Sequence, residues 1–110
     1  MSTSDESNLL RDLLERLQET LPGVPVCPSG QVPPGMHRCI HYRRLEFNKN
    51  LLRLHVRAAS DEAIDALVEG VHRALPPQLA DKAGEYRDPD PHTPPDIPGG
   101  YRESIIEIHF

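Results

Sequence analysis

A chain of 110 residues that is 37% apolar and only 5% aromatic has room for one modest core of Leu, Ile and Val, and excludes a second. Its formal charge of −5 argues against a whole-molecule nucleic-acid binder, which carries a basic surplus to neutralise phosphates. Cys27 and Cys39 are the only cysteines and no charged leader precedes an apolar run, so neither a disulfide scaffold nor signal-peptide secretion is expected, and the compartment reads as cytosolic. No apolar run approaches the ~20 residues that span a bilayer.

From Ser4 to Leu21 the leucines at 9, 10, 13, 14, 17 and 21 fall on one stripe, with Arg11, Asp12, Glu15, Arg16 and Glu19 opposite. That spacing predicts an amphipathic helix. Thr3 followed by Glu6 resembles a capping box, and Pro22-Gly23 supplies the stop. Residues 22–36 hold five prolines and three glycines, which forbids a helix and allows at most a short edge strand around Val24 to Cys27.

Residues 38–75 are the most legible part of the chain. Cys39 to Phe47 reads as a strand whose alternation changes register near Arg43 and Arg44, as at a bulge. Asn48-Lys49-Asn50 reads as a turn. Leu52, Leu54, Val56 and Ala58 then alternate with Arg53, His55 and Arg57, completing an antiparallel hairpin. Ser60 is a good N-cap, with Asp61 and Glu62 in the first turn and Ile64, Leu67, Val68, Val71 and Leu75 at helical spacing. His72 and Arg73 suit the negative end, and Pro76-Pro77 closes the helix.

Residues 76–100 are proline-rich, polar and nearly free of apolar periodicity, and read as a loop or arm. Tyr101 to Phe110 alternates again as a last strand. The expectation is therefore a single α+β domain over residues 1–110, in the order α-(β)-β-β-α-β. It is a mainly antiparallel sheet with both helices on one face.

The candidate chemistry is thin. Cys27, His37, Cys39 and His41 are close in sequence, with the last three at strand alternation, but paired metal-ligand spacing is missing and no metal site is expected. No nucleophile elbow, phosphate loop or zinc-protease spacing occurs, and Gly99-Gly100 is too little for a phosphate cradle. The carboxylate pairs Asp61/Asp65 and Glu103/Glu107 read as a solvated helix face and a strand face rather than acid–base machinery. Neither catalysis nor a cofactor is expected.

Charge distribution is more telling than its sum. From Arg38 to Arg57 six basic residues stand against Glu46 alone, so one element is basic within an acidic chain. Arg43, Arg44, Arg53 and Arg57 are the candidate interface residues. They can pair with Glu103 and Glu107 of the last strand, dock an acidic partner or sister subunit, or meet nucleic acid, for which Tyr42 and Phe47 offer little stacking.

The order of these pieces resembles the tail terminator and minor tail proteins of long-tailed phages and prophages. A leucine-striped helix leads through PGVPVCPSGQVPPG to the hairpin CIHYRRLEFNKNLLRLHVRAAS; the helix DEAIDALVEGVHRAL and the strand YRESIIEIHF follow. The resemblance implies a structural, non-enzymatic protein, often a hexameric ring, that caps the tail tube and joins the head. Its partners would be copies of itself and tail-tube or head-completion proteins. Its location would be the virion tail or the host bacterial cytoplasm. The alternative is a small nucleic-acid-binding or adaptor protein that uses the basic hairpin 38–57.

Overall fold

The computed structural model describes residues 3–45 and 48–110. Helix α1 (Thr3–Thr20) leads through strand β1 (Val26–Pro28) and a short 3-10 turn (Ser29–Gln31) to strands β2 (Cys39–Leu45) and β3 (Asn48–Ala58). Helix α2 (Asp61–Ala74) and strands β4 (Ala83–Arg87) and β5 (Arg102–His109) complete the chain. The Thr3–Glu6 cap and the Glu46–Phe47 end of the expected hairpin strand lie outside the described side chains and residues.

The five strands form one sheet in the order β1-β2-β3-β5-β4, antiparallel except for the β1–β2 pair. The domain is α+β, as the periodicities predict. Leu13 and Leu17 of α1 and Ile64, Leu67, Val68 and Val71 of α2 join Ile40, Leu52, Leu54, Val56, Ile106 and Ile108 in a single core. The outer leucines of the α1 stripe, Leu9, Leu10, Leu14 and Leu21, are only partly buried against it.

Helix α2 is capped as its sequence dictates. The Ser60 hydroxyl accepts from the Ala63 N–H at 3.2 Å, and Asp61 and Glu62 occupy the first turn. The helix lies close to α1 because position 70 is glycine: a Cβ there would run into the Leu21 side chain.

The turn expected at 48–50 needs correction. Asn48, Lys49 and Asn50 are not a turn but the first residues of β3, with Asn48 already the partner of Leu45. The irregularity expected near Arg43 and Arg44 is present, between Arg44 and Leu45, where β3 passes from Leu52 to Asn48 while β2 advances by one residue. A turn at 48–50 would have set His41 opposite Arg57; the observed register sets it opposite His55.

The segment 76–100, expected as a loop or arm, carries β4 and folds back on the domain. Strand β4 has little apolar signal because it is an edge strand, with Ala83, Glu85 and Arg87 on the helix side. Its hold is polar: Arg87 reaches Asp65 of α2 at 2.8 Å, and the buried Ser104 hydroxyl donates to Glu85 at 2.7 Å. Further along, His92 and Tyr101 form a backbone bridge and stack their rings. Asp96 then accepts from the Gly35 N–H at 3.0 Å, so the two proline-rich stretches meet.

Candidate functional site

Strand alternation sends every second residue away from the helices, and the register arranges these into three rows. Cys39, Arg57 and Glu103 form one row; Cys27, His41, His55, Ile105 and Tyr86 form the next; Arg43, Arg53, Glu107 and Gly84 form the third. This face is polar and partly closed by the folded-back segment, with Tyr101 beneath the Arg57 guanidinium at 4.4 Å from the ring centroid.

At its centre the His41 and His55 rings stack, with centroids 4.5 Å apart and planes 2° from parallel. Glu103 lies diagonally across from both. One carboxylate oxygen is 3.3 Å from His55 Nδ1; the other is 3.9 Å from His41 Nε2 and 3.7 Å from Arg57 Nε. Burial alone would raise the Glu103 carboxyl, but the hydrogen bond with His55 and the nearness of both imidazoles outweigh it and hold the group well below the usual carboxylate range. His41 Nδ1 is 2.8 Å from the Ser29 hydroxyl.

The four candidate arginines divide by surroundings. Arg53 reaches Glu107 at 3.3 Å and Arg57 reaches Glu103, the cross-strand pairs that the alternation allows. Arg44 lies over the Phe110 ring, 5.3 Å from its centroid. Arg43 is exposed and faces Arg53 across the β2–β3 ladder. Of the four, Arg43 is the one most available to another molecule.

Arg43 also borders an open stretch of edge. Strand β1 covers β2 only at Ile40, His41 and Tyr42, so the outer edge from Arg43 to Leu45 is not paired by β1. It opens onto a groove of about 760 Å³ bordered by Leu10, Pro28, Ser29, Tyr42, Arg43 and Arg44. At the far side of the sheet β4 is the other edge.

Of the residues first weighed as metal ligands, three share one face of the sheet and His37 departs from them. Cys27 and His41 are register partners and Cys39 shares their face, but His37 precedes β2 and is exposed. Both cysteines are free, and burial pushes the Cys39 thiol up. The groups that His41 meets, His55 and Glu103, come from strands further along the chain and were not joined to it by sequence spacing. The hairpin register was the signal that could have found His55, and the misplaced turn hid it.

The paired carboxylates of α2 are engaged in ion pairs. Asp61 holds Arg102 at 3.1 Å and Asp65 holds Arg87. Among the described residues no helix is long and apolar enough to cross a membrane. The chain matches no protein-family model, no curated protein and no solved structure.

Proposed function

We propose that this chain is a structural subunit of a phage-type tail, a terminator or head–tail joining component that assembles into a ring on the tail tube. The observation that carries the reading is the pair of sheet edges. The Arg43–Leu45 edge of β2 and the β4 edge lie on opposite sides of one sheet, so joining unlike edges of successive copies is a heterologous contact, which generates a ring when the rotation between copies closes and a filament when it does not. Strand addition supplies affinity through the main chain and specificity through flanking pockets. The groove beside Arg43, floored by Leu10 and Tyr42, is such a pocket. Leu10, partly buried on α1, adds apolar surface to it.

The alternative, nucleic-acid binding by the hairpin, has less to draw on. Arg53 and Arg57 are held by carboxylates of β5, and each would have to leave its partner to neutralise a phosphate.

Size-exclusion chromatography with light scattering, over a wide concentration range and with and without tail-tube protein, tests the proposal. A discrete ring or a complex with tube subunits is expected, and Arg43→Glu should weaken it. A chain that stays monomeric and ignores tube subunits would sink the reading. Salt-sensitive binding to DNA or RNA at low ionic strength would favour the alternative instead.

A further inference from the structure

We propose that His41, His55 and Glu103 together form a binding site for a divalent first-row transition ion of the zinc type. This inference is independent of the tail reading. Two imidazoles and a carboxylate are a donor set that suits zinc and its neighbours. One ligating atom from each residue lies within 4.8 Å of the other two. All three are carried on adjacent strands, so the backbone spacing is fixed by the β2–β3 and β3–β5 ladders.

A second observation points to a ligand. The His41 side chain is 10% exposed, and its Nε2 is buried without a hydrogen-bond partner. That atom faces the Glu103 carboxylate at 3.9 Å, too far for a hydrogen bond. An unsatisfied buried nitrogen costs free energy, and here a cation between it and the carboxylate would satisfy both. The other ring nitrogen is already held by Ser29 at 2.8 Å. When Nδ1–H donates to that hydroxyl, Nε2 is left as a bare lone pair, the arrangement by which an outer hydrogen bond sets the tautomer of a metal-bound histidine.

A tetrahedral ion with bonds of ~2.0–2.1 Å needs its donors roughly 3.3 Å apart. The approach is made by side-chain rotation. Because the two rings are parallel, their in-plane lone pairs converge only when the rings tilt out of the stack. His55 and Glu103 keep 16% and 11% of their side-chain surface open, which leaves an outward position for a water or a donor from a bound partner. Arg57 beside Glu103 works against the ion, and it has Tyr101 on which to rest as the carboxylate turns toward the metal.

The test is a titration of the full chain with ZnCl2 in the presence of a reductant, followed by calorimetry, melting temperature and imidazole 15N shifts. One equivalent should bind and raise the melting temperature, with the largest shifts at His41 Nε2 and His55 Nδ1. His41→Asn, His55→Asn and Glu103→Gln should each abolish the tight equivalent. Ser29→Ala should weaken it about 10- to 100-fold, while Cys27→Ser with Cys39→Ser should leave it intact. Absence of a stoichiometric site, shifts confined to other histidines, or loss of binding in the double cysteine variant would overturn the proposal. Unchanged affinity in a folded His55→Asn variant would do the same. The shift measurement uses the native chain, so it decides the matter even where a variant fails to fold.

Discussion

Arg53 faces Glu107 directly across the β3–β5 ladder, with Nη2 3.3 Å from Oε2. On its other side Arg53 faces Arg43, so one carboxylate offsets the repulsion between two guanidinium groups. Glu107→Ala should therefore destabilise the chain by about 0.2–1 kcal/mol, a cost that shrinks as salt is added. Adding Arg43→Ala should recover part of the loss. Urea unfolding of the two single variants and the double, at low and high ionic strength, measures the coupling. Additive effects would show that the three charges do not act as a row.

Arg43→Glu should leave stability within about 0.5 kcal/mol of the parent, because the residue is exposed. Its effect should fall on assembly instead. Comparing the urea midpoint with the light-scattering mass separates the two, and a large drop in midpoint would mean that Arg43 serves the fold itself.

Gly100 has φ of +71°, and a Cβ there would strike the His92 carbonyl oxygen. Main chain on both sides of the His92–Tyr101 bridge cannot move apart without breaking the His92 N–H and Tyr101 N–H hydrogen bonds. Gly100→Ala should cost at least about 1 kcal/mol. Denaturant titration gives the cost, and faster amide exchange at His92 and Tyr101 would locate it.

Gly70→Leu places four carbons where Leu21 already packs. Overpacking of this kind should destabilise by about 1–3 kcal/mol, offsetting the ~1 kcal/mol gain in helix propensity from removing glycine. Leu21→Ala in the same chain should relieve much of the loss. Melting temperatures of the three variants check this.

Asp88 accepts from the Asp90 N–H at 3.0 Å and lies 2.8 Å from His92 Nε2. These bonds, the backbone one first, hold its carboxyl below the usual carboxylate range. A group depressed on folding contributes stability that is present above its unfolded pKa and lost as pH falls through its folded one. Acid should therefore loosen the 88–101 segment, and Asp88→Asn should flatten that part of the stability profile. Carboxyl NMR titration of Asp88 tests the direction directly.

Most of the fold was legible because its signals are periodic. The α1 leucine stripe, the Leu52–Ala58 alternation and the Ser60 cap each state a local geometry, and each is met. Strand β4 was not legible: its stability lies in Arg87, Glu85 and Ser104 meeting across elements, and no local pattern encodes that. The cross-strand partners Glu103 and Glu107 were readable from charge. The joining of His41 to this group was not, because His41 meets His55 through the β2–β3 register, which the irregularity after Arg44 displaces. Charge position along the chain thus pointed to one face of the sheet without ranking the residues on it.

The position of β5 between β3 and β4 also bears on how the sheet assembles. Strand β4 emerges earlier in the chain but reaches the sheet only through β5, its one partner strand. Until β5 pairs with it, β3 presents a bare edge with Leu52, Leu54 and Val56 behind it, a template for wrong pairing between nascent chains. Closure of that edge needs pairings 44 to 58 residues apart in the chain, with Leu54 and Ile106 near the middle. Distant pairings of this kind slow folding, so the step most exposed to error is the arrival of one strand, and variants that weaken β5 should appear first as aggregation in the cell rather than as a lower melting point.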